Sequence, residues 1–269
     1  MKILLGFVLL CGMASSAFGQ YSIESGDLRG TIRAPRLYIG LTSGYGITFL
    51  PGGIENPFLK DRDFRNVLAH TYSLGISTEY FLVSRMHTRY VSGSLIFKAI
   101  YRNYSSADNS FLQTEEKTVG SQSRTVETQY STHYQSSLFN IDVLYSNPLS
   151  ESAPFSVIAG PGFGLLINEY LSKQAEILHP SDFTFDENSF EGDDQLEQNG
   201  RAAVFKNDNA SSFQAYIKAG VQYSIYFGSR DQFQLVPSAS FNFGITKPYS
   251  TEKFRLSTID FGVDFRTAL

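Results

Sequence analysis

The chain has 269 residues, a formal net charge of −4 and a mean hydropathy of −0.15. An acidic chain is a poor candidate for nucleic-acid binding, which depends on Lys and Arg that neutralise phosphates. The slightly negative hydropathy argues against a helical membrane protein. The one cysteine, Cys11, excludes a disulfide scaffold and a thiolate metal site.

The first residues have the pattern of a secretory signal peptide. Lys2 precedes an apolar run that ends at Leu10, and Ala17-Phe18-Gly19 fits a small-x-small cleavage site. The run is too short for a transmembrane helix. Lipidation of Cys11 is a weaker alternative, because Leu10 is too large for the usual lipobox. We therefore expect a signal peptide at 1–19, followed by a polar periplasmic tail at 20–34.

Beyond the tail, apolar and polar residues alternate with a period of two, which places them on opposite faces of β-strands. Each run covers about ten residues or more, the length that a tilted strand needs to cross a bilayer. The pattern predicts a β-barrel with lipid outside and a polar lumen inside. The eight predicted strands are Leu37–Phe49, Thr71–Leu82, Tyr90–Tyr104, His133–Ser146, Phe155–Asn168, Phe213–Phe227, Phe233–Thr246 and Phe254–Leu269.

The connections predict the topology. Those after strands two, four and six are short, whereas three of the others are long, including Ser105–Thr132 and Asn168–Ser212. Short periplasmic turns that alternate with longer outer loops are typical of bacterial barrels. We expect one all-β domain at 35–269, a single eight-stranded antiparallel transmembrane barrel with both termini in the periplasm. Outer-loop positions such as Tyr249 should be accessible from the cell surface.

The predicted inward face contains four acidic and four basic residues. Such a balance is expected where buried charges must be paired or solvated. A salt-bridged plug that fills the lumen is the favoured interpretation, and a gated pore or proton path is the alternative. The predicted network consists of Glu79, Lys98, Arg102, Asp142, Lys218, Asp260, Asp264 and Arg266.

The connection Asn168–Ser212 is too long to be a plain link between neighbouring strands, so we expect it to have a function. Its exposed aromatic residues Phe183, Phe185 and Phe190 predict a contact with a partner protein or with neighbouring loops. Its carboxylates offer oxygen ligands to calcium, but they lack EF-hand spacing, and a solvated acidic loop is the alternative. These carboxylates belong to Asp182, Asp186, Glu187, Asp193 and Asp194.

An enzyme would have to use the histidines. His70 and His133 lie at the outer ends of predicted strands, and Ser73, Ser131 and Ser136 are near them in sequence. A Ser–His–acid hydrolase of the outer leaflet can be imagined at such a rim. No nucleophile elbow marks any of these serines, so the chain is not expected to be an enzyme, and no catalytic, cofactor-binding or metal residue is assigned.

The signal sequence, the eight alternating strands and the ending Ile259-x-Phe261-x-Val263-x-Phe265 together resemble small bacterial outer-membrane β-barrels of the OmpA/OmpX-like porin superfamily. The nearest likeness is to the Bacteroidota-type outer-membrane β-barrel proteins. The resemblance implies an outer-membrane location, contact with outer-membrane lipid and lipopolysaccharide, and insertion by the outer-membrane assembly machinery. The chain departs from the usual terminal Phe, because four residues follow Phe265.

Members of this superfamily include structural proteins, adhesins, pores, lipid-modifying enzymes and subunits of envelope complexes, so fold alone does not determine function. We expect a non-enzymatic structural or interaction barrel, as a subunit of a larger secretion or outer-membrane assembly complex with another envelope protein as partner. A narrow porin-like channel is the first alternative. An outer-leaflet lipid hydrolase is the second.

Overall fold

The computed structural model describes residues 37–59, 63–65, 67–82, 93–106, 109–119, 122–149, 154–185, 195–206, 210–228 and 231–269. The predicted signal peptide and periplasmic tail lie outside these ranges. No helix in the described ranges is long and apolar enough to cross a membrane. Besides a 3-10 turn at Gln198–Gly200, the elements are β1 (Leu37–Phe49), β2 (Leu68–Phe81), β3 (Ser94–Ser106), β4 (Asn109–Val119), β5 (Gln122–Pro148), β6 (Phe155–His179), β7 (Gln195–Glu197), β8 (Ala202–Lys206), β9 (Phe213–Tyr223), β10 (Ile225–Phe227), β11 (Phe233–Gly244) and β12 (Ser257–Ala268).

Eight of these strands form a closed antiparallel ring in the order β5-β3-β2-β1-β12-β11-β9-β6, and β6 pairs back with β5. The first and last strands are neighbours, with Tyr38 opposite Ala268 and Phe49 opposite Ser257. The start of β1 and the end of β12 therefore lie at the same end of the barrel, which we call the terminal end. The ring confirms the predicted eight-stranded antiparallel barrel.

The outer surface of the ring is apolar. Outward positions recur every second residue on each strand, and large apolar side chains occupy most of them. Leu41 on β1 is 65% exposed, and outward residues such as Leu74, Phe97, Ile141 and Phe261 are exposed in the same way. Aromatic rings gather on this surface near the terminal end, where Phe155 packs on Tyr223, Phe227 on Phe233, and Phe233 on Phe265. An apolar band flanked by aromatic residues is the surface that a bilayer requires.

Half of the ring continues beyond the apolar band, away from the terminal end. The upper part of β5 (122–136) pairs with β4 through residues 122–132. The upper part of β6 (169–179) pairs with upper β5 and with β8, which in turn pairs with β7. We call these five paired segments the tall wall. Much of Ser105–Thr132 and part of Asn168–Ser212, which the sequence predicted as loops, therefore form β-sheet.

The sequence pattern predicted that the strand beginning at Phe155 ends at Asn168, whereas β6 continues to His179 beyond a β-bulge. The register passes from Leu138 opposite Leu166 to Ser137 opposite Asn168, so Ile167 is an extra residue on β6. One extra residue moves every later side chain to the other face. Leu171 and every second residue after it up to Ile177 consequently face inward, so the period-two pattern of the lower part of β6 does not continue into its upper part.

The described parts of residues 50–67 and 245–256 fold inside the tall wall, and we call this packed layer the cap. Ile54 and Phe64 form an isolated β-bridge within it. Tyr249, which was expected to be accessible, is fully buried, and its ring packs near that of Phe254. The apolar core of the cap and wall includes Leu50, Ile54, Phe64, Val67, Tyr104, Tyr130, Tyr134, Leu138, Leu171, Ala175, Tyr249, Phe254 and Leu256.

Candidate functional site

The lumen contains all eight charged residues that the sequence assigned to the inward face. They lie on β2, β3, β5, β9 and β12, and each is at most 9% exposed. Their charges sum to zero. The contacts divide them into two clusters of four residues, each with two cations and two anions.

The first cluster, on β2, β3 and β12, is a linear chain of ion pairs. Arg266 bridges Glu79 and Asp264, and Lys98 Nζ lies 2.8 Å from Asp264 Oδ2. Gln234 Nε2 donates a hydrogen bond to Glu79 Oε2 at 3.2 Å. The buried carboxylates are therefore both paired and hydrogen-bonded, the condition under which charges are tolerated away from water. We call this set the terminal-side cluster.

The second cluster, which we call the charge square, alternates cations and anions around a ring. Lys218 Nζ lies 3.1 Å from Asp142 Oδ2 and 3.9 Å from Asp260 Oδ2. On the other side, Arg102 Nη2 lies 3.1 Å from Asp260 Oδ2 and 3.7 Å from Asp142 Oδ2. These residues come from β3, β5, β9 and β12, so the square spans the lumen and ties four strands together.

Tyr216 completes the charge square and was not among the residues predicted from the sequence. Its hydroxyl donates to Asp142, and its ring lies 5.4 Å from the Arg102 guanidinium carbon. Gly162 on β6 makes room for the ring, because a Cβ there would lie 2.1 Å from a ring carbon. Tyr216 has the same parity as Lys218 on β9, and this was the signal that could have identified it.

A buried ion pair joins the cap to the tall wall. Lys173 Nζ on β6 lies 2.5 Å from Glu252 Oε1, and both side chains are almost inaccessible to solvent. The other oxygen of Glu252 accepts a hydrogen bond at 2.9 Å from the backbone N–H of Glu55. Glu252 thus connects both cap segments to the wall above the lumen.

A second carboxyl group lies beneath the cap on the tall wall. The Tyr134 hydroxyl donates to Glu169 Oε1 at 2.9 Å, and Tyr134 itself is packed edge-on against Phe254. Burial raises the pKa of Glu169 from its ordinary 4.5 to about 7, although the hydrogen bond from Tyr134 acts in the opposite direction. Glu169 is therefore a group that changes charge near neutral pH inside a packed layer.

The three aromatic residues predicted to contact a partner are only partly described. Phe185 packs against the cap core, and its backbone N–H donates to the Gly200 carbonyl at 2.7 Å. Phe183 is half-buried, and Phe190 lies outside the described residues. Phe185 thus contacts neighbouring segments, which was one of the two contacts predicted for it.

The proposed calcium ligands are likewise only partly described. Asp182 is exposed and pairs with Arg124 at 2.7 Å. Its four predicted companions, Asp186, Glu187, Asp193 and Asp194, lie outside the described residues. Within the described ranges, no three His, Cys, Asp or Glu side chains are grouped so that they could hold a metal ion.

The histidines at the rim face the outside of the barrel wall. His70 Nδ1 is hydrogen-bonded to the Tyr45 hydroxyl at 2.7 Å, and the His133 ring lies 6.3 Å from that of Tyr170. Ser136 is buried on the inward face of β5, three residues beyond His133. On β2, Ser73 likewise faces inward, whereas His70 faces outward. The wall therefore lies between each histidine and one of the serines considered for it.

No family model and no curated protein matches the chain. Among solved structures, the chain is similar to Ail, the attachment invasion locus protein of Yersinia pestis, with 10% identity, a TM-score of 0.33, and coverage of 86% of this chain and 99% of that one. It is also similar to Neisserial surface protein A (12%, 0.32, 87% and 97%). The translocator domain of the autotransporter NalP from Neisseria meningitidis is a third such structure (8%, 0.31, 100% and 98%).

The ring geometry itself identifies the type of protein. A closed ring leaves none of its eight strands with an unpaired edge, which is the only way for β-structure to cross lipid. Its outward side chains are apolar, whereas its inward side chains include two clusters of paired charges. The closed eight-stranded ring therefore has the architecture of a membrane-spanning β-barrel, as the sequence pattern predicted.

Proposed function

We propose that this protein is a sealed, non-enzymatic barrel that anchors an interaction surface in the bacterial outer membrane, as a subunit of a larger envelope assembly. The observation that carries the proposal is the contrast between the closed lumen and the extended wall. The lumen is filled by two neutral charge clusters and covered by the cap, whereas one side of the wall continues as ordered sheet beyond the apolar band. In this proposal the tall wall is at the cell surface and both termini are periplasmic.

The outer face of the tall wall is the surface that we assign to the partner. Gln135 and Tyr170 lie opposite each other at its base, and Ser131 and Gln174 lie opposite each other higher up. From Gln129 to Gln135 on β5 and from Tyr170 to Gln174 on β6, every outward residue is uncharged or His. Protein interfaces are depleted of Lys, Glu and Asp at their centres and enriched in Tyr.

The same composition makes lipopolysaccharide a weaker candidate for this face. Phosphate groups are recognised by Arg and Lys through charge-assisted hydrogen bonds. The outward positions between Gln129 and Gln135 contain neither residue type. A protein surface with complementary hydrogen-bonding groups is therefore the partner that we propose.

The channel and the hydrolase are less well supported. A narrow channel needs a continuous water path, but Lys218 and Arg102 meet Asp142 and Asp260 across the lumen. A Ser–His site that uses Ser136 would need its members on one face, and the wall separates this serine from His133.

Site-specific photo-crosslinking in intact cells tests the proposal. A photoreactive amino acid at Ser131 or Gln174 should yield a discrete crosslinked protein, because both positions lie on the assigned face. The same amino acid at Ile141, on β5 but facing lipid, is the matched control and should yield none. Crosslinking at Ile141 alone, or no protein adduct at either wall position, would contradict the proposed surface.

A further inference from the structure

A small cavity lies in the lumen between the charge square and the cap. Its volume is about 10 Å³. This is about the size that holds a single water molecule, provided that two to four polar groups surround it. The lining includes polar residues from β3, β5, β9 and β11, together with the ring of Tyr216.

Four of the lining residues have a buried polar atom without a hydrogen-bond partner among the described residues. The atoms are Arg102 Nε, Asn140 Nδ2, Gln214 Nε2 and Asn242 Oδ1. All four side chains are more than nine-tenths buried. A buried polar group without a partner costs about 1–3 kcal/mol, so four such groups around one cavity indicate a common ligand.

The chemistry of the four atoms distinguishes between ligands. Three are N–H donors, and the fourth is an acceptor, since Asn242 Nδ2 donates to Asp260 Oδ2 and thereby fixes the orientation of the amide. A halide ion could accept from the donors, but it would face the Asn242 carbonyl oxygen. It would also add a negative charge beside a charge square that is already neutral.

We propose that this cavity is a binding site for one ordered water molecule. Water accepts two hydrogen bonds and can donate one to Asn242 Oδ1, so it satisfies three of the four atoms at once. Such a water would link strands that do not share a backbone ladder, such as β3 and β11. It would extend the polar network of the lumen to the base of the cap, where Tyr104 and Leu256 also line the cavity.

Crystallography of the refolded barrel, with bromide in the crystallisation solution, tests both the site and its ligand. We expect electron density for a water between Gln214 and Asn242, without an anomalous bromide signal. A bromide peak in the cavity, or the absence of any density there, would overturn the proposal.

Nuclear magnetic resonance in lipid nanodiscs gives an independent test in solution. The side-chain amide protons of Gln214 and Asn140 should show cross-relaxation with a long-lived water. Gln222 is the matched control on the same strand, because its Nε2 already donates to Ser146 Oγ at 3.1 Å. The variant Asn242→Leu should remove the water signal. Failure of both wild-type amides to show it would refute the site even if the variant did not fold.

Discussion

Removing one charge from the charge square should destabilise the barrel strongly. In Asp142→Asn the amide keeps an oxygen that can accept from Tyr216, but Arg102 and Lys218 are left with only Asp260 as counter-ion. Breaking a buried ion pair by removal of one partner costs about 3–5 kcal/mol, since the remaining charge stays buried. We expect a loss of this size in the free energy of unfolding, measured by guanidinium titration in lipid vesicles with circular dichroism.

Two comparisons make the result interpretable. Asp182→Asn breaks the Arg124–Asp182 pair, whose side chains are 46% and 63% exposed, and should change stability by no more than ~1 kcal/mol. The double variant Asp142→Asn with Lys218→Met restores charge balance, so it should be more stable than Asp142→Asn by about 1–3 kcal/mol. If Asp142→Asn lowers the free energy of unfolding no more than Asp182→Asn does, the charge square does not hold the strands together.

Two further predictions concern Glu169 on the tall wall and Ile141 on the lipid-facing surface. Because the pKa of Glu169 is higher in the folded state (about 7) than its ordinary 4.5, its contribution to stability is full below pH 4.5 and is lost as the pH rises through 7. Glu169→Gln should therefore remove a fall of about 3 kcal/mol from the pH profile of the unfolding free energy, and an unchanged profile would contradict the assignment. Ile141→Arg on the lipid face should destabilise folding into vesicles by ~2–4 kcal/mol, whereas inward Ser240→Thr should be tolerated; equal tolerance would refute the facing of these residues.

The sequence was sufficient to predict the ring because each strand buries only one face. Strict alternation around residues such as Lys98 and Ile141 reports that burial directly. The eight inward charges followed from the same parity, and the structure places them all in the lumen. Their pairing into two clusters could not be predicted, because it depends on the relative heights of strands that are distant in sequence.

The period-two alternation in the sequence could not predict the tall wall and the cap, for two physical reasons. The extra residue Ile167 reverses the parity of β6, so the inward positions after it no longer continue the earlier series. Tyr249 lies in a segment predicted as a loop, and Phe254, predicted as the first residue of the last strand, lies before β12 begins at Ser257. Both are buried by long-range contacts with Tyr134 and its neighbours. Tertiary packing of this kind has no local signal in the sequence.

Ion conductance across a planar lipid bilayer tests most directly whether the barrel is sealed. Purified protein inserted into the bilayer should show no stable conductance steps, because the charge square and the cap close the lumen in two successive layers. Asp142→Asn provides a matched sample with a weakened square. Regular, long-lived conductance steps from the unmodified protein would contradict the sealed barrel and favour a channel.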